Sequence, residues 1–195
     1  MMLNLGNRVV KKEIRVVGID DSPFNKFKDN KILVVAVVMR GGLYVDGILS
    51  TNITVDGDDA TKKIIKMINN SKFKPQLQCI FLNGIAVGGF NVIDVEKLNK
   101  KTNIPVIVVI RKNPDIEQIK NTLMKIKKKN KIKLLEKAGK VMQVGDIFVQ
   151  LSGIELEKAR KILKIACTRS LIPESLRLAH LIGAGVVMGE SKGGA

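Results

Sequence analysis

The fold is decided by two β-branched segments near the start of the chain, Arg15-Val-Val-Gly-Ile-Asp20 and Lys31-Ile-Leu-Val-Val-Ala-Val-Val-Met39. The turn Arg40-Gly41-Gly42 joins the second segment to another strand-like stretch, residues 43–54. β-Branched residues favour strands, and a short glycine-rich turn typically joins antiparallel neighbours. The sequence therefore predicts a sheet that starts with three antiparallel strands.

Working outward, the apolar periodicity becomes helical in residues 58–69. Residues 77–82 and 104–110 are short and almost wholly apolar, as strands buried on both faces are, and residues 94–101 between them favour a helix. Strand, helix and strand in this order form a right-handed parallel crossover. We therefore expect parallel strands to follow the antiparallel start.

The second half of the chain predicts a helix at 116–126, a hairpin with strands at 141–144 and 147–151, and closing helices at 154–167 and 173–188. Ser152-Gly-Ile-Glu155 has the spacing of a capping box for the first closing helix. We predict one α/β domain over residues 1–195, with a mixed sheet flanked by helices and a flexible tail at 191–195.

The chain is strongly basic, with 34 Lys and Arg against 18 Asp and Glu among 195 residues, a formal charge of +16. Residues 97–140 hold 14 of the basic residues and only three acids, which favours a phosphate backbone as partner. The alternative is a solvated helix face without a partner. The lysines expected to contact nucleic acid are Lys112, Lys120, Lys127, Lys128 and Lys131.

Several other classes of protein are not expected. No apolar run reaches the about 18 to 20 residues of a membrane span, and residues 1–12 lack a signal-peptide pattern, so we expect a cytoplasmic protein without a membrane partner. Cys79 and Cys167 lack the spacing of a zinc site. His180 is the single histidine, with no nucleophilic serine placed beside it, and residues 84–89 lack the spacing of a nucleotide-cofactor loop.

Two adjacent acids, Asp20 and Asp21, end the first strand and alternate to opposite faces of the sheet. A carboxylate at the end of an apolar strand favours a cation, and Asp56, Asp58 and Asp59 are the nearest further acids. Mg²⁺ or Mn²⁺ would suit such hard oxygen ligands. The alternatives are a helix cap at Asp58 or Asp59 and a simple turn at Asp56.

Four segments in the same order resemble endonuclease V and its archaeal relatives called endonuclease dU. They are Gly18-Ile-Asp-Asp-Ser22, Phe81-Leu-Asn-Gly84, Ile104-Pro-Val-Ile-Val-Val109 and Ile172-Pro-Glu-Ser-Leu-Arg-Leu-Ala-His180. The resemblance implies an RNase H-like fold. It also implies a Mg²⁺- or Mn²⁺-dependent endonuclease that cuts DNA, more than RNA, near uracil or hypoxanthine. The alternatives are a nuclease acting on RNA and a nucleic-acid-binding relative with a degenerate metal site.

The resemblance also implies the site residues. Asp20 matches the first metal ligand, Asn83 stands where the family has an Asp, and Asp58 is favoured for an acid at a helix start. Glu155 corresponds to a late acidic ligand, and Arg111 stands where the family has a lysine near the scissile phosphate. Asn83 is a departure, because a neutral amide holds a divalent cation more weakly than a carboxylate does.

Overall fold

The computed structural model describes residues 10–191 and contains a seven-stranded sheet and a two-stranded one. The strands are β1 Arg15–Asp21, β2 Lys31–Arg40, β3 Tyr44–Thr54, β4 Cys79–Asn83, β5 Ala86–Val87, β6 Asn91–Val92, β7 Val106–Ile110, β8 Met142–Val144 and β9 Ile147–Ser152. The α-helices are α1 Ala60–Asn69, α2 Val95–Thr102, α3 Ile116–Lys125, α4 Ile132–Lys137, α5 Leu156–Ala166 and α6 Glu174–Met188. Short 3₁₀ turns lie at Lys74–Gln76 and Lys129–Lys131.

The large sheet has the strand order β3-β2-β1-β4-β7-β9-β8. β1, β2 and β3 pair antiparallel, β1, β4 and β7 pair parallel, and β9 returns antiparallel to β7. The predicted RNase H-like mixed sheet, antiparallel first and parallel afterwards, is confirmed. Because β1, β4 and β7 run in one direction, their carboxyl ends meet at one edge of the sheet.

Helices cover both faces of the sheet, which explains why its central strands are apolar throughout. α1 and α2 pack on the face that carries Val17 and Ile19 of β1. α5 and α6 pack on the opposite face, which carries Val16. Side chains alternate along a strand, so Asp20 falls on the α6 face and Asp21 on the α1 face.

α6 lies unusually close to β1. A Cβ on Gly18 would lie 2.4 Å from the backbone carbon of Ser175, and one on Gly183 would lie 3.2 Å from Cα of Ser22. These two approaches show that α6 follows β1 from its middle to its carboxyl end. The helix thereby brings His180 over the end of β1.

We expect Gly18→Ala to destabilise the protein by about 1–3 kcal/mol or more, because the added methyl group meets helix backbone that cannot move without displacing α6. The matched control is Gly185→Ala in α6, where a Cβ would meet nothing within 4 Å. That control should be neutral or stabilising, since alanine favours helix over glycine. Urea unfolding followed by circular dichroism measures both. Equal stabilities for the two variants would contradict this packing.

Three local details differ from the sequence-based expectation. The capping box is wrong, because Ser152 ends β9 and α5 begins at Leu156 with no side-chain cap from Glu155. The basic segment contains α4 and a 3₁₀ turn after α3, and β5 and β6 form a small hairpin that periodicity does not indicate. None of the helices in residues 10–191 has the length and apolar character of a membrane span. Of the predicted tail, residues 192–195 lie outside the described residues.

Candidate functional site

The candidate site is built around Asp20, at the carboxyl end of β1. Its side chain is buried, with the residue only 3% exposed. Oδ1 accepts a hydrogen bond from the backbone N–H of Asp21 at 3.0 Å, and Oδ2 accepts one from Asn83 Nδ2 at 3.1 Å. His180 Nδ1 lies 3.1 Å from the same Oδ2. Three elements, β1, β4 and α6, therefore converge on one carboxylate.

Burial makes the charged form of this carboxylate costly. Burial raises the pKa of Asp20 to about 6, and the negative charge of Asp21 acts in the same direction. The contacts from Asn83 and His180 oppose the rise without cancelling it. Burial also raises the pKa of Asp21 above its ordinary value. A bound cation would remove this electrostatic deficit.

Asp21 faces the other side of the sheet, as strand alternation predicts. Its Oδ2 accepts the backbone N–H of Gly88 at 2.8 Å. The carbonyl of Gly88 in turn accepts the N–H of Asp56 at 2.8 Å, and Asp56 Oδ1 accepts the N–H of Phe90 at 2.7 Å. The loop after β4 therefore connects the end of β1 to the turn that precedes α1.

The prediction that Asp58 joins Asp20 in a metal site is wrong. Its carboxylate is 73% exposed and lies 2.9 Å from Lys131 Nζ, and it makes none of the contacts that surround Asp20. The lysine explains the difference, because it provides the positive charge that the prediction assigned to a metal. Within residues 10–191, no group of three or more His, Cys, Asp or Glu side chains is arranged to hold a metal ion.

Glu155 lies at the wrong edge of the sheet, so its prediction as a metal ligand is corrected. β9 runs antiparallel to β7, and Ser152 at its end pairs with Val106, the first residue of β7. Glu155 follows three residues later and is exposed. Asp20 and Asn83 lie at the opposite edge, where β1 and β4 end.

Arg111 is on the expected side of the molecule. It follows Ile110 at the end of β7, the same edge of the sheet as Asp20, and it is exposed. Together with Ile147 and residues 170–172 it lines a cleft of about 340 Å³. Arg111 therefore lies at the carboxyl edge of the sheet, beside the strand that ends next to β4.

The five predicted nucleic-acid-binding lysines occupy different environments. Lys131 is buried, so its prediction is wrong: its ammonium donates to backbone carbonyls of the 56–57 turn and of Phe90. Lys128 is half-buried and also donates to the carbonyl of Asp56. Lys120 pairs with two glutamates, at 3.4 and 3.5 Å. Lys112 and Lys127 are exposed, as a contact with phosphate requires.

His180 is the site residue that the sequence analysis missed. As the single histidine it is tested by the sequence only against a serine-hydrolase triad, for which a nucleophile is missing. The signal that could have found it is its position, because it closes the last of the four segments that carry the resemblance. Its approach to Asp20 depends on the close packing of α6 on Gly18, which periodicity alone does not predict.

The sheet and its flanking helices define a class of protein, the endonuclease V fold. Endonuclease V from Bacillus subtilis matches with a TM-score of 0.60 at 11% identity, covering 90% of this chain and 81% of that one. Endonuclease V from Ciona intestinalis matches with a TM-score of 0.54 at 18% identity, covering 85% and 82%. That protein is in complex with a 24mer DNA containing an inosine followed by a ribo-adenosine.

Within this class, the chain belongs to the endonuclease dU family, which it matches over residues 12–187. A relative named "UPF0215 protein" from Methanothermobacter thermautotrophicus is 46% identical over 199 residues, covering 100% of this chain and 98% of the relative. A crystal structure of a protein of unknown function from Archaeoglobus fulgidus matches with a TM-score of 0.83 at 40% identity. It covers 89% of this chain and 98% of that one.

Proposed function

We propose that this chain is a metal-dependent endonuclease that hydrolyses a phosphodiester bond of DNA beside a deaminated base, uracil or hypoxanthine. The observation that carries the proposal is the buried Asp20 carboxylate, contacted by Asn83 and His180 at the edge where β1 and β4 end. The family supports nuclease activity. The inosine in the DNA bound to the Ciona relative supports a deaminated base as target, since hypoxanthine is the base of inosine.

Asp20 and Asn83 fit a Mg²⁺ or Mn²⁺ ion that keeps several of its waters, because both side chains contain oxygen ligands and the buried Asp20 carboxylate is only partly compensated by Asn83 and His180. When bound, such an ion supplies an activated water and stabilises negative charge on the phosphate. Asp21 is less suited to the role, since its side chain faces the other side of the sheet from Asp20 and contacts the loop after β4.

His180 is suited to proton transfer. The 3.1 Å contact between Nδ1 and Asp20 Oδ2 orients the imidazole, and the side chain remains 31% exposed. An imidazole held in this way can give a proton to the leaving oxygen or take one from water. Arg111, at the same edge, can hold a non-bridging phosphate oxygen with its planar guanidinium.

The exposed lysines of the 97–140 region provide contacts to the backbone of the nucleic acid. Phosphate contacts of this kind position the duplex without reading its sequence. Binding should therefore weaken steeply as salt rises, because each phosphate contact releases a counterion. Of the five lysines named from the sequence, Lys112 and Lys127 are the two we retain for this role.

The test is cleavage of end-labelled oligonucleotides that carry uracil, hypoxanthine or no lesion, each prepared as DNA and as RNA. Each is incubated with Mg²⁺, with Mn²⁺ or with EDTA. We expect cutting only with metal, and only beside a deaminated base in DNA. Metal-dependent cutting of the RNA oligonucleotides alone would instead identify RNA as the substrate.

A second candidate function is nucleic-acid binding without cleavage. Two observations favour it, the amide of Asn83 in place of a carboxylate and the lack, in the described part of the chain, of a group of three metal-binding side chains. Salt-sensitive binding with no cutting under any of these conditions would establish this candidate and refute the enzyme.

Asn83→Asp distinguishes the two candidate functions through the metal dependence of cleavage. A second carboxylate next to Asp20 should strengthen metal binding, so we expect half-maximal cleavage at roughly tenfold lower Mn²⁺, a gain of about 1.4 kcal/mol. Asn121→Asp on the exposed surface of α3 changes the net charge equally and serves as the control. An unchanged Mn²⁺ dependence for Asn83→Asp would argue that Asn83 is not a ligand.

A further inference from the structure

The loop after β1 displays an aromatic ring in solvent. Phe27 is 95% exposed, the highest value among the large apolar residues that the structure describes. Single exposed apolar residues are common and need no explanation by themselves. The backbone and the charges around Phe27 distinguish it.

The turn that carries Phe27 is held by four hydrogen bonds. The N–H of Asn25 donates to Asp29 Oδ2 at 2.7 Å, and the N–H of Phe27 donates to Asn25 Oδ1 at 3.0 Å. The N–H groups of Lys28 and Asp29 both donate to the carbonyl of Asn25, at 3.1 and 2.9 Å. The backbone that carries the ring is therefore fixed in a closed turn, which lowers the backbone entropy that a ligand contact would cost.

The turn is also basic and lies beside the candidate site. Lys26 and Lys28 are the sequence neighbours of Phe27, and Asp29 is the acid nearest to it in sequence. Lys26 Nζ lies 5.3 Å from the centre of the Phe90 ring and 3.7 Å from Asp56 Oδ2. These contacts attach the turn to the loop that already bonds to Asp21, at the edge where β1 ends.

We propose that Phe27 is a base-stacking residue, whose ring packs against an unpaired nucleobase while the exposed Lys28 contacts a flanking phosphate. An aromatic ring in a basic turn complements a base and its phosphate, as in proteins that bind single strands. The inference rests on the proposed function for its class of ligand, nucleic acid, but it does not require that the chain cleave.

The test compares two fluorescently labelled polyanions by fluorescence anisotropy. One is an oligothymidine of about 20 nucleotides, and the other is an abasic sugar-phosphate chain of equal length. We expect Phe27→Ala to weaken binding of oligothymidine about tenfold and to leave binding of the abasic chain unchanged. The control is Leu43→Ala, an exposed apolar residue in the β2–β3 turn at the other end of the sheet, which should change neither affinity.

Phe27→Trp gives an independent readout, because the chain has no tryptophan. This variant should bind oligothymidine at least as tightly as the wild type, and its fluorescence should be quenched by oligothymidine but not by the abasic chain. Rising salt should weaken the binding of oligothymidine to wild type and to Phe27→Ala in parallel, since the phosphate contacts remain in both proteins.

Equal affinities of Phe27→Ala and wild type for oligothymidine would overturn the proposal. An equal loss of affinity for both polymers would also overturn it. So would a wild-type chain that binds neither polymer, and that result would leave an apolar protein surface as the partner of Phe27. Loss of stacking affinity in a chain that never cleaves would support this proposal while refuting the nuclease. Cleavage at a normal rate, together with unchanged oligothymidine affinity in Phe27→Ala, would support the nuclease and refute the stacking proposal.

Discussion

Lys131→Met is expected to lower the free energy of unfolding by about 3–5 kcal/mol, the cost of removing one partner from a buried charged network. Lys131 is 1% exposed, and its ammonium donates to the carbonyls of Asp56, Gly57 and Phe90 and pairs with Asp58. Methionine would fill the space but leave the carbonyls of Gly57 and Phe90 without this donor, while the carbonyl of Asp56 keeps its bond from Lys128. An unpaired buried polar group costs its full desolvation penalty.

The control for this prediction is Lys133→Met, which removes the same charge two residues further on, from an exposed position in α4. Exposed substitutions of this kind change stability by about 0.5 kcal/mol or less. Urea unfolding followed by circular dichroism compares the two variants with the wild type. If Lys131→Met stayed within about 1 kcal/mol of Lys133→Met, Lys131 would not hold the 56–58 turn as described.

Asp20→Asn should make the metal-free protein more stable above pH 6. The raised pKa of Asp20, about 6 against 3.8 for the free group, means that the folded state holds this proton more tightly than the unfolded state. The contribution of Asp20 is therefore fully present below about pH 4 and is lost as the pH rises through 6. By pH 8 the penalty of the buried carboxylate reaches the order of 2–3 kcal/mol, which the neutral amide avoids.

The measurement is the difference in unfolding free energy between Asp20→Asn and wild type, at pH 4 and pH 8 in EDTA. Taking the difference removes the pH dependence that groups distant from Asp20 contribute to both proteins. Mn²⁺ should then raise the melting temperature of the wild type and leave that of Asp20→Asn unchanged. Asp146→Asn, in the exposed β8–β9 turn, is the charge-matched control. A difference that does not vary with pH would contradict the electrostatic description of Asp20.

Most of the fold could be predicted because its signals are local. β-Branched runs and the Gly41-Gly42 turn define the antiparallel start, and the two apolar segments at 77–82 and 104–110 define the parallel strands. The division of the basic segment into α3, a 3₁₀ turn and α4 was missed, because one lysine in a basic run is buried there. No local pattern distinguishes Lys131 from its exposed neighbours.

The candidate site could be predicted only in part, because its geometry depends on nonlocal packing. Asp20 and Asn83 end neighbouring parallel strands, so the strand prediction places both at one edge. The direction of β9 is set by its pairing with β7, and that pairing takes Glu155 to the opposite edge. His180 reaches Asp20 because Gly18 lets α6 approach β1, a contact across more than 150 residues of sequence.

The most direct test of the central claim is single-turnover cleavage by wild type and by Asp20→Asn, purified side by side, on uracil- and hypoxanthine-containing DNA with Mn²⁺. The proposed site predicts that wild type cuts, that EDTA stops it, and that Asp20→Asn is slower by roughly a thousandfold or more, since the loss of a metal ligand removes several kcal/mol of transition-state stabilisation. Cleavage by the variant at the wild-type rate would contradict the assignment of Asp20 and place the reaction elsewhere.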